Sequence, residues 1–124
     1  MVNRILVLDD DPGILEALDL SLTYCGFQVR PMLSGDNVFR MIDDFEPNLI
    51  ILDYMLSGKN GGEICQDLKN DPLKKNIPVI MLSAHPEAAK NNSDYGCDSF
   101  IPKPFDLSLL VREIKLFINP KPVF

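Results

Sequence analysis

Short runs of large aliphatic residues alternate along this chain with longer segments in which apolar residues recur every three or four positions. The runs at residues 5–8 and 49–52 predict buried strands, and the second of these is expected to be buried on both faces. The run at residues 77–82 predicts another strand. Residues 27–33 and 99–101 predict two further strands. Pro31 lies in the first of these, which indicates an edge strand, because proline cannot donate a hydrogen bond to a neighbouring strand.

The apolar spacing predicts helices at about residues 14–25, 34–45, 61–70 and 106–118. A poorer helical segment runs from about residue 86 to 94, where residues 91–94 are weak helix formers. Five strands that alternate with five helical segments predict an α/β domain with a parallel sheet and right-handed crossovers. In the last helix we expect the following side chains to be buried: Leu107, Leu110, Val111, Ile114 and Ile118.

Composition and charge narrow the possible functions. The 124 residues, 46% hydrophobic and 24% charged, are enough for one globular domain with a real core. The net charge of −6 argues against nonspecific binding to nucleic acid, which requires a basic surface. No apolar run reaches membrane-spanning length and no signal peptide is recognisable, so we expect a cytoplasmic protein without a membrane partner.

The three cysteines are odd in number and lack the spacing of metal ligands. We therefore expect Cys25, Cys65 and Cys97 to be small buried hydrophobic residues in a reducing compartment, and Cys25 continues the apolar face of the first helix.

Polar residues that suit phosphoryl chemistry follow four of the predicted strands. Asp9 and Asp10 follow the first strand, Asp53 the third, Ser83 the fourth and Lys103 the fifth. Parallel strands end at the same edge of a sheet, where open α/β sheets place their ligand sites. Three carboxylates at one edge would repel one another and raise their pKa values unless a cation were present, and Mg²⁺ prefers oxygen ligands.

An aspartate can also accept a phosphoryl group. Transfer of this group spreads negative charge over three oxygens, so catalysis consists mainly of positioning and charge neutralisation. If Asp53 were the acceptor, Mg²⁺, the ammonium of Lys103 and the hydroxyl of Ser83 would each bind one oxygen of the transferred phosphoryl group. The pattern therefore predicts a magnesium-dependent phosphoryl acceptor.

Four segments resemble the receiver domain of two-component response regulators, of the kind found in chemotaxis regulators. They are LVLDDDP at residues 6–12, LDYM at 52–55, LSA at 82–84 and KPF at 103–105. The resemblance covers essentially the whole chain. It implies a flavodoxin-like (βα)5 fold, a three-layer sandwich with a five-stranded parallel sheet in the order 2-1-3-4-5.

The resemblance also implies a role for each matching residue in the acidic site. Asp53 looks like the phosphoacceptor, and Lys103 would pair with the phosphoryl group. Asp10 looks like a direct Mg²⁺ ligand, with Asp9 bound directly or through water. Asp53 itself and the backbone carbonyl of Met55 would complete the protein ligands of the Mg²⁺ ion.

The resemblance implies that two further residues switch this site, and a third residue, His85, lies two positions after the first of them. Ser83 would be the switch hydroxyl, and Phe100 the aromatic whose rotamer reports the state, although Phe100 is also interpretable as a static core residue. His85 has two open interpretations. It is either an ordinary loop residue or, with Met55, a gate for the water that hydrolyses the acyl phosphate.

The implied partners are a sensor histidine kinase or a histidine phosphotransfer protein as donor, and an output protein or domain. The output surface would comprise the segment at residues 86–94, the fifth strand and the last helix. Leu109 and Leu116 are predicted on the outer face of that helix, with Arg112 and Glu113 between them. Two interpretations are open: the two leucines contact a partner or a second copy of the chain, or they are ordinary exposed apolar residues. We expect the receiver domain to span residues 1–119, followed by a tail or linker stub at 120–124.

Two other functions compete with a signalling switch that phosphorylates and dephosphorylates only itself. A magnesium-dependent phosphohydrolase that forms an aspartyl phosphate typically has a second acid two residues after the nucleophile, and here that residue is Met55. A receiver-like interaction module that is not phosphorylated would not need Asp9, Asp10, Asp53, Ser83 and Lys103 together. No helix-turn-helix pattern is visible, so we expect no direct contact with nucleic acid.

Overall fold

The computed structural model describes residues 3–56, 60–84 and 95–118. Five strands form one parallel sheet in the order β2-β1-β3-β4-β5. They are β1 (Arg4–Leu8), β2 (Gln28–Met32), β3 (Leu49–Asp53), β4 (Val79–Ser83) and β5 (Ser99–Pro102). This confirms the predicted sheet, and β2, which contains Pro31, lies at an edge as expected.

Helices cover both faces of the sheet, so the predicted three-layer arrangement is confirmed. The helices in the described part of the chain are α1 (Pro12–Tyr24), α2 (Val38–Phe45), α3 (Gly61–Asn70) and α4 (Leu107–Ile118). Side chains of α2 and α3 pack with Leu6 and Leu8 of β1 on one face, whereas those of α1 and α4 pack with Ile5 and Val7 on the other. The helical segment predicted at residues 86–94 lies outside the described residues.

Local sequence determines where α1 begins. The Asp11 carboxylate accepts hydrogen bonds from the backbone N–H of Gly13 at 2.9 Å and of Ile14 at 3.3 Å, and Pro12 occupies the first turn. Both are common features of helix N-termini, because they satisfy or remove unpaired amide donors. Asp11 is therefore a helix cap, in contrast to the two acids that precede it.

Two burial expectations are wrong. Leu107 is 38% exposed, although Leu110 and Ile114 are fully buried. Apolar spacing predicts which side of a helix faces the core, but it does not predict at which residue along the helix the contact with the core begins. Cys25 is exposed because it is the C-cap of α1, where the helical conformation ends. Cys65 is buried and Cys97 is half-buried.

In the described ranges, every helix is too short or too polar to cross a lipid bilayer.

Candidate functional site

The parallel register brings the ends of β1, β3, β4 and β5 to one edge of the sheet. Leu8 pairs with Leu52, and Ser83 pairs with Pro102. Asp9 therefore leaves β1 beside the end of β3, where Asp53 lies, and Lys103 leaves β5 beside the end of β4. The backbone N–H of Lys103 donates to the carbonyl of Ser83 at 2.8 Å, which continues the pairing one residue beyond β5.

Three carboxylates meet at this edge, as predicted. Asp9 and Asp53 are buried, with 1% and 5% of their surfaces exposed, while Asp10 is exposed. Asp9, Asp10 and Asp53 each offer one carboxylate oxygen, and these three atoms all lie within 4.8 Å of one another. Oxygen atoms grouped this closely on acidic residues suit a hard divalent cation such as Mg²⁺.

The Lys103 ammonium points into the same cluster. Its Nζ donates to Asp9 Oδ2 at 2.9 Å and lies 3.3 Å from Asp53 Oδ1. The other oxygen of Asp9 accepts a hydrogen bond from the backbone N–H of Asp11 at 2.9 Å. One lysine therefore links the two buried acids, which come from strands 44 residues apart in sequence.

The electrostatics reflect a surplus of negative charge. Burial, and next the charge of Asp9, raise the pKa of Asp53 to about 6, although Lys103 opposes the rise. Burial alone lowers the pKa of Lys103, but its hydrogen bond to Asp9 and the charge of Asp53 raise the pKa above its ordinary value. Without a divalent cation, the site therefore holds more negative charge than one lysine neutralises.

The raised pKa of Asp53 predicts how stability depends on pH in metal-free buffer. The folded state binds this proton more tightly than the unfolded state, so the free energy of unfolding falls as the pH rises from 3.8 to about 6. Asp53→Asn is expected to stabilise the metal-free protein by roughly 3 kcal/mol at neutral pH, because the amide buries no charge. Urea unfolding at acidic and neutral pH with a chelator measures this difference.

The exposed Asp44 on α2 offers a matched control for this experiment. Asp44→Asn should change stability little and equally at both pH values. The stability difference between the Asp53→Asn variant and the unaltered chain should grow from acidic to neutral pH. If this difference were the same at both pH values, the site would not hold surplus negative charge.

The remaining predicted residues lie at or near this edge where the structure describes them. Ser83 is 1% exposed at the end of β4, and Met55 is 48% exposed two residues beyond β3. Phe100 in β5 is half-buried and packs against the core cluster that includes α2 and α3. His85 lies outside the described residues, so its role stays a prediction.

Sequence reasoning missed two contacts next to Asp53. The hydroxyl groups of Tyr54 and Tyr95 lie 3.2 Å apart, which links the residue after Asp53 to the segment before β5. Gly61 packs against the Asp53 carbonyl, and a Cβ on Gly61 would also lie 2.9 Å from the Tyr54 Cα. The adjacent glycines at residues 61 and 62 could have predicted these contacts, because glycine allows another part of the chain to approach the backbone closely.

Comparison with known proteins agrees with this geometry. The family model of the response regulator receiver domain matches residues 5–115. The chain belongs to this family. Receiver domains are signalling switches of two-component systems and not conventional enzymes, so the acidic pocket belongs to a signalling module.

Three similar proteins illustrate the range of this receiver family. The DNA-binding dual master transcriptional regulator RpaA of Synechocystis sp. is 32% identical over 118 residues, which cover 94% of this chain and 49% of that protein. The signal receiver domain of a histidine kinase from Syntrophus aciditrophicus has a TM-score of 0.88 at 27% identity and covers 99% of this chain and 97% of that one. The response regulator TrrA of Thermotoga maritima, in complex with Mg²⁺-BeF, has a TM-score of 0.84 at 27% identity over 94% of this chain and 99% of that one.

The receiver spans about half the length of the curated relatives it matches. Those relatives are named as transcriptional or DNA-binding regulators. The expectation that this chain does not contact nucleic acid directly is therefore not confirmed.

Proposed function

We propose that Asp53 is the phosphoacceptor of this receiver and takes its phosphoryl group from a histidine kinase or a histidine phosphotransfer protein. The observation that supports this proposal most directly is the position of Asp53 itself. It is buried at the sheet edge, 3.3 Å from the Lys103 ammonium and within 4.8 Å, oxygen to oxygen, of Asp9 and Asp10.

A Mg²⁺ ion fits this cluster, and Asp9, Asp10 and Asp53 are the side chains that would hold it, with the Met55 carbonyl as a further ligand. The raised pKa of Asp53 supports the assignment, because unbalanced negative charge is what a divalent cation relieves. When bound, Mg²⁺ would neutralise the carboxylates and the charge that develops on the transferred phosphoryl oxygens. The Mg²⁺-BeF complex of TrrA is consistent with such a site.

The chemical step forms one bond and breaks another. A carboxylate oxygen of Asp53 attacks phosphorus, and the bond from phosphorus to the donor nitrogen breaks, so that the donor leaves as a neutral imidazole after taking up a proton. The Asp53 side chain becomes an acyl phosphate. Lys103 would then exchange its contact with Asp53 for one with a phosphoryl oxygen and keep its hydrogen bond to Asp9.

The same chain would catalyse its own dephosphorylation by admitting water to the acyl phosphate. No separate substrate is turned over in this proposal. Membership of the receiver family does not favour a phosphohydrolase or a module without phosphorylation, and Met55 occupies the position at which the phosphohydrolase would carry its second acid.

The switch would begin at Ser83 and continue to Phe100. Ser83 ends β4, and Phe100 lies in the adjacent β5, paired with Met81. Movement of the Ser83 hydroxyl onto a phosphoryl oxygen would allow the half-buried Phe100 ring to turn inward. The effect is a population shift between two conformations that alters the surface offered to an output protein or to a second copy of the chain.

Hydrogen exchange tests this switch. With Mg²⁺ and beryllofluoride present, we expect the amides of β5 to change their exchange rates several-fold relative to Mg²⁺ alone, because the ligand selects one conformation. The amides of β2 are the internal control, because β2 and β5 are the two outermost strands, on opposite sides of the sheet. Equal exchange in β5 with and without beryllofluoride would contradict the switch while leaving phosphoryl acceptance untouched.

Acetyl phosphate tests phosphoryl acceptance without a partner protein. Intact protein incubated with Mg²⁺ and acetyl phosphate is expected to gain the mass of one phosphoryl group, and a chelator is expected to prevent the gain.

A further inference from the structure

The thiols of Cys65 and Cys97 lie in direct contact. The Cys97 thiol donates to Cys65 Sγ with the two sulfur atoms 2.9 Å apart. This separation is about 0.9 Å longer than the ~2.05 Å of a covalent S–S bond. Cys65 is buried on α3, and Cys97 is half-buried two residues before β5, so the pair joins two parts of the chain 32 residues apart.

Contacts on either side hold the Cys97 segment against α3. Before it, the Tyr95 ring covers Gly62 so closely that a Cβ on Gly62 would lie 2.7 Å from the ring. After it, Asp98 Oδ2 accepts a hydrogen bond from Lys69 Nζ at 2.7 Å.

The three positions on α3, residues 62, 65 and 69, share one helix face at spacings of three and four. The folded chain therefore already holds the two sulfurs together, and most of the entropy cost of closing the intervening loop is met by folding.

The surroundings also favour the ionisation on which thiol oxidation depends. The hydrogen bond from Cys97 lowers the pKa of the Cys65 thiol, and burial opposes this effect while the Lys69 ammonium adds to it. Since the thiolate is the nucleophile in sulfur oxidation, such a pair has a reactive member and a neighbouring thiol to resolve it.

We propose that Cys65 and Cys97 are an oxidation site, which a peroxide converts into an intramolecular disulfide that fastens the segment before β5 to α3, and which a thiol reductant returns to two thiols. A thiolate sulfur attacks a peroxide oxygen, the O–O bond breaks, and the released hydroxide takes up a proton to become water. The second thiol then attacks the resulting sulfenic sulfur, the S–S bond forms, and the S–O bond breaks to release a second water. The two thiols lose two protons and two electrons in total, and one peroxide is reduced to two waters.

The disulfide links α3 to the segment that leads into β5, which contains Phe100. Closing a covalent loop also removes conformations from the unfolded chain. This proposal does not depend on phosphoryl transfer, because neither sulfur belongs to the acidic cluster, and its test uses no phosphoryl donor.

The test uses Cys25→Ser, which removes the exposed third thiol and leaves the pair intact. After treatment with hydrogen peroxide, intact Cys25→Ser protein is expected to lose the mass of two hydrogen atoms and to bind no alkylating reagent when unfolded. Dithiothreitol is expected to restore both alkylation sites. The oxidised form should melt at a temperature higher by on the order of 10 °C, since the disulfide closes a loop of about 30 residues.

The double variant Cys25→Ser/Cys97→Ser is the matched control, because it keeps the buried Cys65 and changes only its half-buried neighbour. Peroxide should not raise its melting temperature. The proposal is overturned if peroxide-treated Cys25→Ser protein still binds two alkyl groups, or if its thiols gain oxygen or link two chains without closing on each other.

Discussion

Asp53→Asn protein is expected to gain no phosphoryl group from acetyl phosphate under conditions in which the unaltered chain is labelled. An uncharged amide is a poor nucleophile towards phosphorus, and in the proposed roles Asp9 and Asp10 hold Mg²⁺ and do not attack phosphorus. The loss should be complete within the sensitivity of intact-mass measurement. The substitution conserves shape, and the folded state should gain stability in metal-free buffer, so lost labelling cannot be attributed to unfolding.

Asp11→Asn is the matched control for this experiment. Asp11 is two residues from Asp9, but its carboxylate caps α1, and asparagine caps helices equally well. The Asp11→Asn variant should gain one phosphoryl group to the same extent as the unaltered chain. If Asp53→Asn protein still gains one phosphoryl mass, or if the Asp11→Asn variant loses labelling to the same extent, Asp53 is not the acceptor.

Lys103→Met is expected to destabilise the metal-free protein by about 3 kcal/mol at neutral pH, because it removes the cation that links two buried carboxylates. The methionine side chain has a similar length and leaves little empty volume, so the loss reports charge and not packing. Mg²⁺ should restore part of this stability, since a cation bound by the same acids relieves the same repulsion. Urea unfolding with chelator and with Mg²⁺ measures both effects.

Lys115→Met provides the comparison, because Lys115 is an exposed lysine on α4. Its stability should change by a few tenths of a kcal/mol, as is usual for exposed charges. If Lys103→Met protein were as stable as Lys115→Met protein in chelator, Lys103 would not neutralise the buried acids. If Mg²⁺ stabilised neither the unaltered chain nor the Lys103→Met variant, the metal assignment would fail instead.

Most of the fold was predictable because buried parallel strands have a distinctive pattern. The runs at residues 5–8 and 49–52 are apolar on both faces, which occurs where helices cover a sheet from both sides. The strand order, in contrast, came from the resemblance to receiver domains. Apolar spacing also misplaced Leu107 and Cys25, since both lie at helix ends where periodicity no longer indicates burial.

The candidate site was predictable for a related reason. A polar residue directly after a buried strand must lie at the edge of the sheet, and parallel strands share that edge, so Asp9, Asp53 and Lys103 were placed together from sequence alone. The sequence did not distinguish their environments. It placed three acids after β1, whereas the structure buries Asp9, exposes Asp10 and uses Asp11 as a helix cap.

The sequence by itself therefore determined the α/β class, the parallel strands and the set of groups that meet at their carboxyl ends, because each depends on local periodicity and on the direction of the chain. Only the tertiary structure decided that one Lys103 ammonium bridges Asp9 and Asp53, that Tyr54 contacts Tyr95, and that the sulfurs of Cys65 and Cys97 touch. Those contacts join segments from 32 to 94 residues apart. Their distances depend on how helices and loops pack on the sheet, which no local pattern encodes.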